Sequence, residues 1–457
     1  MSLLTFSWDA CHGPCLYRQV FPPKKNKLSS AGRSFVVSAI SSAPAATTTI
    51  AKTTSSLAHA WREVQGSNDW KDLLKPLHSV LRDEIIRYGE FVNACYKGFE
   101  IDPSSKRYLN CKHGRKSLLR ELGLGNSGYE VTKYIYATPH ITTPIINAAF
   151  CGHWIGFIAV SSEDDVITRI GRRDILVTFR GTMTTTEWIV NLMSSLTPPR
   201  FDPQNPQSDV KVESGFLSLY TSDERNGKFG LGSCREQLLS ELTRLINKFK
   251  GEELSITVAG HSMGSSLGVL FAYDVAELGL NRNCGLYRKI PITVFAFASP
   301  RVGNAGLKER CEELGVKVLR IANVRDPITK MPGVVFNENF RILGGRYEFP
   351  WSCSCYAHVG VELAINFFMM QNPAFVHDLE AYISLLRCQD QVQVQEVYDD
   401  TVINFLTWAR KSFNCAQSFS TSMRVILTNA MVNLVEYQRT KNHIVLPIQP
   451  SFAQNKN

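Results

Sequence analysis

No stretch of about 18 uncharged apolar residues occurs in the sequence, so it has no candidate for a membrane-crossing helix. Internal repeats are absent too, which excludes solenoids and propellers. The 12 cysteines of the 457-residue chain stand at irregular spacings and are too sparse for a disulfide framework. They read as reduced, small apolar residues of the interior. The tightest cluster, Cys353, Cys355 and His358, has no matching second pair and makes a poor zinc site. No metal and no other cofactor is expected. A strong excess of one charge is also lacking. The formal net charge is +9, and residues 1–52 supply +5 of it through Arg18, Lys24, Lys25, Lys27, Arg33 and Lys52 against Asp9. The remaining +4 is weak, and no zinc finger, aromatic RNA signature or basic helix accompanies it, so a nucleic-acid partner is not expected.

What is present is a globular composition, 44% apolar and 20% charged. The N-terminal part differs from the rest. Ser and Thr fill 13 of the 28 positions from 29 to 56, with no acid among them. Such a segment buries too little apolar surface to fold alone. Its FVVSAI run is too short for a secretory signal core. Basic, hydroxylated and acid-poor is the composition of a plastid or mitochondrial transit peptide, the alternative being a plain disordered tail; residues 1–52 are expected to be a plastid one.

Order is expected from about Trp61. Leu77, Val80, Leu81, Ile85, Ile86, Phe91 and Val92 recur at helical spacing between Leu77 and Tyr96. From about residue 155 strands and helices alternate. DILVTFRG (174–181), LSITVAG (254–260), ITVFAFASP (292–300) and VKVLRIANV (316–324) are nearly all apolar, as strands buried on both faces are. Amphipathic segments such as 234–250 separate them. The pattern predicts an α/β fold with a mainly parallel central sheet and helices on both faces. Residues 388–457 show no such rhythm and form a tail of undetermined structure.

Gly260-His261-Ser262-Met263-Gly264 lies between a buried strand and a helix. A serine there occupies a tight turn that lifts its hydroxyl above the sheet, and the flanking glycines permit the close approach. The Met263 N–H, at the start of the helix, suits an oxyanion. A serine nucleophile needs a base, and the base an orienting carboxylate, following in the order Ser, Asp, His. Asp326 stands at the C-terminal end of a strand, where open α/β sheets place their sites. Asp274, on the helix after the serine, reads as a surface or structural acid. Three histidines follow Asp326. His443 is in the tail, His358 in an apolar stretch, and His377 in a loop opening a helix; His377 is preferred over His358. His261 reads as elbow packing. Thr182, after the strand 174–181, is the second oxyanion candidate. Trp188, Ile189 and Leu192 could form an apolar lid over the serine, or simply pack a surface helix.

Taken together, FRGT…EW, VESGFLSLYTS, GHSMGSSL, PRVGN, RIANVRDPITKMPG and HDLEAYI, in that order, resemble the class 3 lipases. WREVQGSNDWKDLLKPL and RYGEFVNACYKGFEIDPSSKRY are similar to the plastidial phospholipase A1 branch. The resemblance spans about 61–387. It implies an α/β-hydrolase-like fold, Ser262 as acyl-enzyme nucleophile, Asp326 as orienting acid, His377 as base and a lid near 183–192. It further implies hydrolysis of the sn-1 ester of glycerolipids, phosphatidylcholine with galactolipids and triacylglycerol as further substrates, at a membrane or lipid-droplet surface in the chloroplast. The rival expectations are a neutral-lipid lipase or soluble esterase, and a catalytically silent lipid-binding scaffold.

Overall fold

In the computed structural model, residues 57–138, 152–183, 195–223, 230–282, 289–332, 355–367 and 373–388 are described. The expected transit peptide at 1–52 and, apart from Cys388, the tail at 388–457 lie outside these residues.

The main sheet has seven strands: β1 (Tyr129–Ala137), β2 (His153–Ser161), β3 (Arg173–Phe179), β4 (Leu254–His261), β5 (Ile292–Phe297), β6 (Lys317–Asn323) and β7 (Val361–Ile365). Their order across the sheet is their order along the chain. β1, β2 and β3 pair antiparallel, and every pair from β3 to β7 is parallel. Six helices matter below: α1 (Ser79–Gly98), α2 (Ser214–Thr221), α3 (Cys234–Lys248), α4 (Met263–Glu277), α5 (Ala305–Glu313) and α6 (Leu379–Arg387).

Alternation along the strands divides the core in two, because successive side chains point to opposite faces. Ile175, Val177, Ile256, Val258, Ile292 and Val294 join Leu219, Leu238, Leu242 and Leu270 of α2, α3 and α4. Leu176, Phe295, Phe297, Leu319 and Ile321 join Leu81, Ile85, Phe91, Tyr382 and Ile383 of α1 and α6. The sheet is therefore covered on both faces, the α/β-hydrolase-like arrangement.

The predicted strands begin and end within three residues of the observed ones. The first long helix starts at Ser79 rather than Leu77, because the His78 ring accepts the Val80 N–H and caps it. The edge strands β1 and β7, and the interior strand β2, were not anticipated. β1 is buried at only some positions, so it lacks the continuous apolar run that marks the central strands. The helix predicted at 234–250 is α3, opened by a reciprocal capping box between Ser233 and Glu236.

Polar clusters tie these layers together. Asp274 is fully buried, not a surface acid: on α4 it takes two bonds from Arg235 of α3 and one, 2.8 Å long, from the Tyr220 hydroxyl of α2. Asp174, on β3, is fully buried and accepts from Tyr88, Tyr129, Ser255 and Thr257 at 2.6–3.0 Å. Burial opposes its ionisation, yet the Arg172 and Arg87 guanidiniums with these hydrogen bonds hold its carboxyl below the usual range. Four two-residue strands, Leu196–Thr197, Val212–Glu213, Gly303–Asn304 and Tyr356–Ala357, form a small separate sheet.

Candidate active site

β4 ends at His261 and α4 begins at Met263, so one residue must turn the chain from strand to helix. That residue is Ser262, with φ 56° and ψ −126°. A side-chain-bearing residue held there costs on the order of 1–3 kcal/mol, which the surrounding structure must offset. The turn brings α4 close to the end of β3. A Cβ on Gly264 would lie 2.4 Å from the Arg180 carbonyl oxygen.

Asp326 follows β6. Its backbone N–H bonds to the Asn323 carbonyl, and its Oδ1 accepts the Ile328 N–H at 2.9 Å. These bonds aim the other oxygen, Oδ2, at the Nδ1 of His377, 2.6 Å away. His377 closes the 3-10 turn Pro373–His377, just before Asp378 caps α6 through the Ala381 N–H. The His377 Nε2 lies 2.9 Å from the Ser262 hydroxyl. The structure thus brings Ser262, His377 and Asp326 into one hydrogen-bonded line. An Nδ1–H donated to the carboxylate leaves Nε2 free to accept the serine proton.

His358 is not in this line. It lies beyond the short strand Tyr356–Ala357, and burial together with the nearby charges of Arg320 and Arg301 holds its ring well below the ordinary histidine range. His443 and Cys353 lie outside the described residues, as do the lid candidates Trp188, Ile189 and Leu192. Among the described residues no group of three His, Cys, Asp or Glu side chains could hold a metal ion.

As the first residue of α4, Met263 has an N–H with no carbonyl one turn back within the helix. Thr182 adjoins Gly181, and a Cβ on Gly181 would meet Ser262 Cβ at 3.0 Å and the His261 carbonyl oxygen at 2.9 Å. The loop after β3 therefore rests directly on the serine turn. The two oxyanion candidates flank the serine from two elements, the start of α4 and the end of β3.

Three residues of the site were not singled out in the sequence. Tyr382 of α6 donates its hydroxyl to Asp326 Oδ2 at 3.3 Å and accepts the Asn323 N–H at 2.9 Å. Asn323, fully buried, donates to the carbonyls of Phe367 and Val376. It joins the end of β6 to the turn that carries His377. Tyr96, on the last turn of α1, bonds both Gly181 and His261. His261 is more than packing, since its two ring nitrogens contact Tyr96 and the His377 carbonyl. In a sequence, a helix tyrosine and a strand-end asparagine carry no signal that distinguishes them from core residues; only "HDLEAYI" placed Tyr382 beside the base.

Residues 176–336 match the model of the family described as Lipase (class 3). The chain is 64% identical over 335 residues to the chloroplastic phospholipase A1-Ialpha2 of Arabidopsis thaliana, covering 72% of this chain and 69% of that protein. It is 64% identical over 332 residues to the chloroplastic galactolipase DONGLE of Arabidopsis thaliana, covering 72% and 70%. To the chloroplastic/mitochondrial phospholipase A1 EG1 of Oryza sativa subsp. indica it is 56% identical over 348 residues, covering 75% and 78%. A parallel sheet, a serine on a strand–helix turn and this degree of identity lead to one conclusion: the chain belongs to the class 3 lipase family.

Proposed function

We propose that this protein is a serine acyl-hydrolase that cleaves the sn-1 ester of glycerolipids, phosphatidylcholine and galactolipids among them, and releases fatty acid and lysolipid. The observation that carries the reading is the continuous path from Ser262 through His377 to Asp326, with separations of 2.9 and 2.6 Å. In this reading the Ser262 oxygen attacks the ester carbonyl while His377 Nε2 takes its proton. Asp326 stabilises the imidazolium that forms. The Met263 and Thr182 N–H groups hold the tetrahedral oxyanion. His377 then returns the proton to the departing lysolipid alcohol, and water cleaves the acyl-enzyme by the same route. No step requires a metal or cofactor.

The names of the relatives support both head-group classes, since one is a phospholipase A1 and another a galactolipase. Their chloroplast location supports residues 1–52 as a plastid leader ahead of a hydrolase domain at 61–387. Contact with a lipid surface is supported by Ile101 and Tyr108, the exposed large hydrophobic side chains among the described residues. They share a loop with the exposed cations Lys106, Arg107, Lys112, Arg115 and Lys116. Apolar side chains amid cations suit an anionic lipid surface.

The test uses the protein without residues 1–52, supplied with phosphatidylcholine and monogalactosyldiacylglycerol carrying different acyl chains at the two positions. Release of the sn-1 chain, abolished in Ser262→Ala, is expected. Release from sn-2 alone, or turnover only of soluble short esters, would overturn the reading.

A further inference from the structure

The last turn of α1 reaches the serine site through one atom. The Tyr96 hydroxyl accepts the Gly181 N–H at 2.7 Å and lies 2.6 Å from His261 Nδ1. On the other side of the same ring, His261 Nε2 lies 3.0 Å from the His377 carbonyl oxygen. A carbonyl can only accept, so Nε2 carries the proton. Burial, and next the charge of the nearby His377, keep the His261 ring well below the ordinary histidine range, so the ring is neutral and Nδ1 is bare. The Tyr96 O–H must then donate to Nδ1, which turns its oxygen toward the Gly181 N–H. Each proton in this chain has one position, and the chain runs from the loop after β3, across α1 and the residue preceding the nucleophile, to the backbone of the base.

We infer that Tyr96 is a positioning residue for the oxyanion-binding loop, acting through Gly181 on the neighbouring Thr182 and through His261 on the turn that carries His377.

The inference rests on the serine-hydrolase reading above. Its chemistry is specific. Held by Tyr96, the Gly181 N–H turns inward to the tyrosine oxygen, which fixes the Arg180–Gly181 peptide plane. The Arg180 guanidinium donates to the Gly181 carbonyl at 2.8 Å and fixes the following plane, the one before Thr182. The next N–H along the chain, that of Thr182, is thereby given one direction relative to the serine. An oxyanion donor works when it is aimed before the reaction begins, because no energy is then spent on turning it. Spatial constraint agrees with this. A Cβ on Gly181 would stand 2.3 Å from the Tyr96 hydroxyl, so loop, tyrosine and serine turn fit against one another with no slack. The Tyr96 ring also meets the His261 ring edge-on, with centroids 5.7 Å apart.

Tyr96→Phe removes one oxygen and keeps the ring, so it tests the hydroxyl alone. Three quantities are measured for wild type, Tyr96→Phe and Ser262→Ala: kcat and KM on a short-chain phosphatidylcholine, inhibition by an acyl trifluoromethyl ketone, and inhibition by the corresponding methyl ketone. The trifluoromethyl ketone captures Ser262 as a hemiketal whose oxyanion needs the donors; the methyl ketone stays largely unadded. Tyr96→Phe is expected to lower kcat about 10- to 100-fold and to weaken the trifluoromethyl ketone by a similar factor. KM, methyl-ketone inhibition and the unfolding midpoint should stay close to wild type. Equal weakening of both ketones would show a general disturbance of the acyl site and overturn the inference. So would wild-type kcat in Tyr96→Phe alongside an inactive Ser262→Ala. Should Ser262→Ala retain wild-type turnover, the serine reading itself falls, a distinct failure. A Tyr96→Phe preparation too unstable to assay at room temperature is assayed at low temperature in glycerol, where the same selective weakening of the trifluoromethyl ketone is expected and equal weakening of both ketones overturns the inference.

Discussion

His377 places its Nδ1 2.6 Å from Oδ2 of Asp326, a carboxylate with no solvent exposure. Water cannot compete for that oxygen, so the carboxylate both orients the ring and stabilises its charged form. Asp326→Asn would keep the shape but present an amide that can favour the wrong ring tautomer. We expect kcat to fall on the order of 10³–10⁴-fold with folding intact. Ser262→Ala and His377→Ala should reach similar residual rates, and the double variant should be no worse, because the members act as a unit. Steady-state kinetics on one lipid substrate, with circular dichroism as the folding control, checks this.

Gly181→Ala is predicted to be severe although it adds one methyl group. The new Cβ would overlap the Tyr96 hydroxyl at 2.3 Å and press on Ser262 Cβ at 3.0 Å. Neither neighbour is the free end of a flexible chain. We expect kcat to drop at least about 100-fold, as for loss of an oxyanion donor. Retention of half the wild-type rate would show that the loop can move aside.

The pH dependence of stability has two sides. The His261 and His358 rings are held below their ordinary range, first by burial. In each case the unfolded chain binds the proton more readily, so their contribution is present above about pH 6.5 and is lost as the pH falls below it. Glu213 acts in the opposite sense. Burial pushes its carboxyl up to about 7, against hydrogen bonds from the Phe216 and Gly215 N–H groups. Its folded form holds a proton that the unfolded form releases, so its contribution is full below about pH 4.5 and is lost as the pH rises towards 7. Glu213→Gln should therefore stabilise the protein at pH 8 and change little at pH 4.5. Urea midpoints at the two pH values measure this; a uniform loss at both would sink it.

Asp174 is the anchor of a buried charged cluster, not of the chemistry. Asp174→Asn would remove the buried negative charge that faces the Arg172 and Arg87 guanidiniums, with Tyr88 and Ser255 bonded to both Asp174 and Arg172. We predict a loss of about 3 kcal/mol in unfolding free energy, as for leaving buried cations without their counter-charge. The kcat of the folded fraction should match wild type. Denaturant titration and an assay at low temperature separate the two effects.

Residues 1–52 joined to a fluorescent protein should accumulate in plastids, given their basic, hydroxyl-rich and acid-poor composition. Signal confined to the cytosol would remove the leader assignment. Signal in mitochondria would match the dual location in the name of the rice relative and correct the choice of organelle.

The four strands that could be read from the sequence, β3 to β6, are buried on both faces, where burial leaves an unbroken apolar run; β2 is buried along its whole length as well, yet its run opens with His153 and is broken by Gly156. β1 and β7 escaped notice because an edge strand is half solvated and its pattern is diluted. Ser262 and Asp326 were legible because each sits where a strand stops, a place marked by glycine or by Asp-Pro. His377 needed a choice among three histidines, and its loop position favoured it. Tyr96 and Asn323 act by contacts to residues 85 and 53 positions away. No local pattern encodes such contacts, so only the folded chain reveals them.

The sheet's strict chain order has a consequence for assembly. A polypeptide emerging N-terminus first can lay each strand of β3 to β7 on an edge already formed, with no later insertion between strands. The nucleophile's turn is then built on the fourth strand, its acid on the sixth, and its base after the seventh. A partly assembled chain would hold a serine with no partner to activate it. Hydrolytic competence would thus be the last property acquired, and a chain threading through an organelle's envelope would carry no active lipase past those membranes' own lipids.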